Sequence, residues 1–327
     1  MMNGADSETS KPDTSFIPLA CLLGVVVLLS SVTPVVKYIF QHSTFEPIGL
    51  AYFRVVTGFI LLLAITWLCD RRGLMSLATA DLIRLGCVGF LGVFSYSIAA
   101  WGLMHTSVIH YAFIYGLLPS CTAMLSVLVG KDRMTGPKCA GIVLSLGGCV
   151  VAISWVTPLN AAIQFGDLFV LLFTVMMSAH IVFTSGLVKR FGVMVSNTVM
   201  FGSSSVLLFF GSLGWSESDH QEVLSPLIAL LVLYVGCATA AVFMLRCRSL
   251  QSLSPATVGT YHNLIPVCTV LLGYLCLDEP IGGATVFGGV MVIAGAEMVR
   301  RPRMLSLRVL PWTKSSLSSL ESSKHPT

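Results

Sequence analysis

The sequence predicts an all-α polytopic membrane protein, with ten transmembrane helices in two inverted-topology repeats of five. Three observations carry that reading. The first is composition. Of 327 residues, 55% are hydrophobic and only 10% charged, and the mean hydropathy is +0.86. A soluble domain carries about 25% charged residues. Polar side chains are too few here to cover a water-exposed surface, which argues against a soluble enzyme, a nucleic-acid binder and a disordered chain. The second observation is how the few charges sort between the two membrane faces. The third is an internal repeat.

The elements follow in order. Met1 to Ser15 is polar and reads as a disordered cytoplasmic N-terminus, residues 1–15. Ile17 to Phe40 is too long for a signal peptide and lacks a small-residue cleavage site, so it is the first membrane helix. Further apolar runs of about one bilayer thickness cover 47–69, 82–104, 108–129, 138–156, 166–187, 195–214, 224–245, 254–277 and 281–299. The short connections make sequence neighbours antiparallel hairpins. The first repeat takes residues 16–156 and the second 157–299. A basic, Ser-rich cytoplasmic tail follows over 300–327. The cysteines lie almost entirely inside apolar runs, with no CxxC pair or metal spacing, and read as small hydrophobes.

Charge location tests the helix count. With ten alternating helices, all but two of the 19 Lys and Arg residues fall on the face of the N-terminus, here face A. Arg71, Arg72, Arg84, Lys131, Arg133, Lys138, Lys189, Arg190, Arg246 and Arg248 are sorted there. The opposite face, B, holds Glu46, Asp167, Glu217, Asp219, Glu222, Asp278 and Glu279 and no loop Lys or Arg. The positive-inside rule then makes face A cytoplasmic.

Shifted by 147 residues, helices four and five fall on nine and ten without a gap. Leu-Leu-Pro-Ser-Cys-Thr at 117–122 meets Leu-Ile-Pro-Val-Cys-Thr at 264–269, and the pairs Pro119/Pro266, Thr122/Thr269, Gly141/Gly288 and Gly148/Gly295 match. A unit of five helices is odd, so the second copy enters the membrane inverted. Inverted repeats are the mark of many secondary transporters.

Here the chain resembles the EamA-type branch of the drug/metabolite transporter superfamily. The resemblance rests on Lys37, Glu46-Pro47 and Arg54. It rests also on Leu118-Pro119 through Lys131-Asp132-Arg133 to Gly141 and Gly148, and on Ile265-Pro266 through Asp278-Glu279-Pro280 to Gly288 and Gly295. The first copy departs from the family pattern at Lys131-Asp132-Arg133. The resemblance implies ten helices in two inverted five-helix repeats and a small-molecule substrate of unstated class. It also implies a shared structural or gating role for Lys37 and Arg54, as an alternative to solute binding.

The residues themselves nominate a site. Lys37 and Arg54 are the two basic groups left at membrane depth. Arg54 is seven residues past Pro47, roughly 10 Å in at 1.5 Å per residue. Such groups face a bundle interior or a wet cavity, so a carboxylate-bearing solute is expected. Glu46 could instead clamp either base. Pro119 and Pro266 kink their helices and free the carbonyls of Tyr115 and His262, which are repeat mates. Thr260, Tyr261, His262 and Asn263 form a polar cluster there. Tyr96 and Trp101 of helix three are candidate walls. His180 and His262 are candidate proton-coupling groups, and His110 lies near face B. No metal site, cofactor motif or nucleotide loop is found, nor HExxH, GxSxG or a deep carboxylate.

Together these point to a secondary-active permease or exporter in a lipid bilayer, working by alternating access on amino-acid-like or other carboxylate-bearing solutes. The bacterial plasma membrane is the expected location, with both termini cytoplasmic. A nucleotide-sugar or organic-phosphate exchanger of the same superfamily is the alternative. It ranks lower because the second repeat shows no basic residue at membrane depth. The oligomeric state is not encoded in any feature of the sequence.

Overall fold

A computed structural model describes residues 16–130, 133–156, 164–212, 225–253, 255, 258, 261–278 and 281–300. The expected N-terminal segment 1–15 and the tail beyond Arg300 lie outside the described residues. So do Lys131, Asp132, Thr260 and the acidic residues Glu217, Asp219, Glu222 and Glu279.

The helices are α1 Phe16–His42, α2 Pro47–Met75, α3 Thr79–Met104, α4 Val108–Leu128, α5 Gly136–Val156, α6 Phe165–Phe191, α7 Val193–Ser212, α8 Pro226–Ser252, α9 Leu264–Leu277 and α10 Gly283–Arg300. The first eight are long and apolar enough to cross a bilayer, and the last two are shorter apolar helices. No strand occurs among the described residues. Local chemistry sets several ends. Pro47 and Pro226 stand in the first turns of α2 and α8, where a missing N–H costs nothing. Gly192, at φ 80°, stops α6.

Among the described residues α2 breaks at Asp70 (φ −147°, ψ 49°), and two further helices are interrupted near prolines. α4 ends its first part at Gly116 and restarts at Leu118, with Pro119 in the opening turn. α9 begins after a turn at His262–Asn263, two residues before Pro266. The interruptions fall at repeat-related positions, as the prolines predict. The carbonyl of His262 is not left free, however. It accepts from the N–H of Ile265 at 3.1 Å.

The leading contacts all join one repeat to the other: α1 with α8 and α9, α2 with α7 and α8, α3 with α6 and α7, α4 with α6 and α9, and α5 with α10. Replacing each helix by its repeat mate returns the same set, so the fold has pseudo-two-fold symmetry. The axis passes through the α5–α10 contact. Ser145 Oγ donates to the carbonyl of Val292 at 3.3 Å, and those two residues are 147 apart. On either side, Gly141 faces Gly295 and Gly148 faces Gly288. A Cβ on Gly148 would lie 2.7 Å from the Gly288 oxygen, and one on Gly288 2.5 Å from the Gly148 oxygen. Lipid supplies no hydrophobic drive between helices, so such close approach holds them by dispersion.

Gly148→Leu should therefore lower the unfolding midpoint of the detergent-purified chain, at a cost of about 1–3 kcal/mol or more. Gly186→Ala is the control, because a Cβ there meets nothing within 4 Å. Equal midpoints for the two variants would remove the glycine contact as a source of stability.

Candidate site between the two repeats

The centre of the bundle is organised by α3. That helix carries a single π turn, Phe90–Phe94, a feature often found at functional sites. Glycines flank it. A Cβ on Gly89 would lie 2.7 Å from Met200 Cα, and one on Gly92 would overlap the His180 ring. The turn is followed by Tyr96, which is 2% exposed and packs its ring 5.1 Å from Phe173 and 5.8 Å from Phe243. Tyr96 and Phe243 are also 147 residues apart. Tyr111 and Tyr115 of α4 stack on Phe173 at 6.1 and 5.4 Å. Tyr115 in turn meets its repeat mate His262 at 6.3 Å.

Two arginines enter this aromatic layer. Arg54 of α2 is 5% exposed. Its Nε donates to Thr239 Oγ1 at 2.5 Å, and its guanidinium lies over the Tyr96 ring, 4.1 Å from the centroid. Glu46 is exposed and does not clamp it. The second is Arg246, which the charge sorting assigned to a face-A loop. That assignment is corrected. α8 runs unbroken to Ser252, and Arg246 is fully buried within it. Its guanidinium lies 5.2 Å from the Phe243 ring and directs Nη1 at Met177 Sδ, 3.0 Å away. The hydroxyls of Tyr96 and Tyr115 are its other polar neighbours. The statement that the second repeat lacks a basic group at membrane depth falls with it. Phe243, Arg246, Cys247 and Leu250 share one buried helix face at i, i+3, i+4 and i+7, a pattern that a hydropathy window ending at the first Arg passes over.

Among the described residues, no carboxylate ion-pairs with either arginine. A buried ion without a partner costs on the order of several kcal/mol. Three guanidinium nitrogens, Arg54 Nη2 and Arg246 Nε and Nη2, are buried with no hydrogen-bond partner. The void beside Arg54, walled by Leu29, Val32, Tyr96 and Tyr111, measures about 10 Å³, room for one water. The layer is closed.

The other nominated residues spread out. His262 sits in the layer and turns Nδ1 to the Val258 carbonyl at 2.8 Å. Asn263 is buried beside it in sequence, and Tyr261 is half-buried against the core. His180 donates Nδ1 to the Val88 carbonyl at 3.0 Å and packs edge-on to Phe243. Trp101 is not a wall of the layer. It stacks on His105 and Phe169 towards face B. Lys37 also lies towards face B, donating to the carbonyls of Leu103 and Thr106 at 2.9 and 2.7 Å, and so ties α1 to the end of α3.

Both ends of α6 are latched to the first repeat. At face B, Asp167 in the first turn of α6 accepts from Thr106 Oγ1 at 2.5 Å, His110 Nδ1 at 3.1 Å and the Gln164 N–H at 2.9 Å. His110 is fully buried. At face A, Asp81 in the first turn of α3 pairs with Arg190 of α6 at 3.2 Å and Arg84 at 3.3 Å. Neither carboxylate stands out in the sequence, because both sit at helix ends where a loop charge is ordinary. They are nonetheless buried, Asp81 at 8% and Asp167 at 6% exposure.

The chain has relatives among known proteins. A model of the EamA-like transporter family matches residues 17–154 and again 164–301. The chain belongs to that family. The double match is the repeat seen in the α5–α10 contact. An uncharacterized transporter of Archaeoglobus fulgidus is 23% identical over 76% of this chain and 86% of its own length. The uncharacterized transporter YyaM of Bacillus subtilis is 26% identical over 64% and 70%. A crystal structure sharing 15% identity aligns over 88% of this chain and 98% of its own with a TM-score of 0.64, a likeness of fold. With its many apolar helices, this EamA-family chain is an integral multi-pass membrane protein.

The latches differ in burial, and so in expected strength. Asp167→Ala strands three donors in a buried site and should cost about 3–5 kcal/mol. Asp81→Ala loses arginines that are 59% and 62% exposed, and should cost at most about 1 kcal/mol. Thermal unfolding in one detergent ranks them, and a reversed order would overturn the burial argument.

Proposed function

We propose that this EamA-family transporter is a secondary carrier of small anionic metabolites, carboxylate-bearing solutes first among them. It works by alternating access of repeat 16–156 against repeat 157–299. The observation that carries the reading is Arg54, buried without a carboxylate partner in a layer shared by both repeats. A fixed cation there gives an anion a partner that water cannot replace. Alternating access draws its support from the two latches. They hold opposite ends of α6 to the first repeat, so either end can part while the other holds. The cleft at face A is about 390 Å³ and is lined by Asp70, Met244, Arg248 and Gln251. It offers an entrance vestibule on the side that the positive-inside rule makes cytoplasmic, in a bacterial plasma membrane. The organic-phosphate reading gains from Arg246, a basic group of the second repeat at membrane depth.

Arg54→Gln tests the carrier reading. In proteoliposomes the variant should insert and unfold cooperatively, yet take up a labelled carboxylate substrate on the order of a hundredfold more slowly. Wild-type rates from Arg54→Gln would take Arg54 out of the pathway.

A further inference from the structure

The central layer contains two cations, and they come from different repeats. Arg54 stands on the face of the Tyr96 ring, and Arg246 stands beside the Tyr96 hydroxyl. Each has unmet donors: Nη2 on Arg54, Nε and Nη2 on Arg246. The hydroxyls of Tyr96 and Tyr115 and the Nε2 of His262 are buried and unpartnered in the same layer. Convergent unmatched polar atoms of this kind describe a site shaped for a group the protein itself does not contain.

Charge balance selects the ligand class. A monoanion neutralises one guanidinium and leaves the other buried and unpaired. A zwitterion does the same and brings an ammonium group for which no described carboxylate is at hand. A solute with two negative charges satisfies both arginines at once, and each pairing is a charge-assisted hydrogen bond of the stronger class. We infer that the solute is a dianion held by Arg54 of the first repeat and Arg246 of the second: a dicarboxylate with one carboxylate on each arginine, or a phosphate monoester whose single phosphoryl group offers different oxygens to the two. The inference rests on the carrier reading and narrows its substrate class. It also departs from an amino-acid-like solute. The phenol of Tyr96 lies between the two guanidiniums, and Tyr115 and His262 supply the polar rim. Because the arginines belong to different repeats, a bound dianion ties the two moving bodies together at their centre.

The test uses the full chain in detergent at fixed ionic strength, with succinate, glycerol 3-phosphate, lactate and alanine as probes. Succinate or glycerol 3-phosphate should raise the unfolding midpoint at concentrations roughly tenfold or more below lactate, the ratio expected for one charge-assisted hydrogen bond. Alanine should leave the midpoint unchanged. Which of the two dianions acts at the lower concentration separates dicarboxylate from phosphate ester. Arg54→Gln and Arg246→Gln should each bring the dianion down to the lactate level, and Arg246→Lys should keep part of the preference. Lactate or alanine acting as well as both dianions on the wild type would overturn the inference, whether or not the Gln variants fold. So would a dianion preference that survives Arg246→Gln. Proteoliposome uptake separates this from the carrier reading. Dianion stabilisation without uptake sinks the carrier and leaves the site. Uptake of a neutral or cationic solute, indifferent to both arginines, sinks the dianion and leaves the carrier.

Discussion

The contact between α5 and α10 is the constraint on which the rest of the bundle depends. Inside a bilayer, helices gain nothing by hiding apolar surface from one another, so backbones must approach closely enough for dispersion to hold them. Glycine allows this at four places related in pairs, Gly141 with Gly295 and Gly148 with Gly288, about the bond from Ser145 to Val292. A contact of this kind is self-complementary in the way an interface between two identical subunits is. Once it is fixed, every other helix of one repeat meets its partners in the other by the same symmetry, and the aromatic layer falls on the axis.

The symmetry stops short of the chemistry. Tyr96 and Phe243 are mates, and each lies against a guanidinium, but Arg54 comes from α2 and Arg246 from α8, helices that are not mates. The latch aspartates of α3 and α6 likewise have no acidic repeat mates, since the 147-residue offset carries Asp81 to Ile228 and Asp167 to Ala20. Each stands in the first turn of its helix, where the helix dipole favours a negative charge. One aspartate is paired with a buried imidazole and a threonine hydroxyl, the other with exposed arginines. The duplication supplies the shared framework, and side chains without a repeat mate make its two ends unequal.

Much of this was legible in the sequence. Composition required the membrane, the Pro119/Pro266 and Gly141/Gly288 matches exposed the repeat, and Arg54 stood out because it interrupts an apolar run. What stayed hidden shares one cause. Arg246, Asp81 and Asp167 lie within a turn or two of helix ends, where one-dimensional hydropathy cannot separate a solvated charge from one turned inward. Burial there depends on what the facing repeat presents, and that is a tertiary fact. The period of Phe243, Arg246, Cys247 and Leu250 was the available local signal. Trp101 misled for the converse reason. It shares α3 with Tyr96, but its ring stacks with His105 and Phe169 towards face B.

The paired guanidiniums have an electrical consequence as well. Two fixed positive charges in a dry, low-dielectric layer raise the local potential against any cation that enters. Sodium, potassium and hydronium ions therefore meet a barrier at the midpoint of any pathway through the bundle, in the way fixed positive charge excludes cations from selective pores. Leakage of small cations through the bundle is thereby opposed by the same charges that draw an anion in.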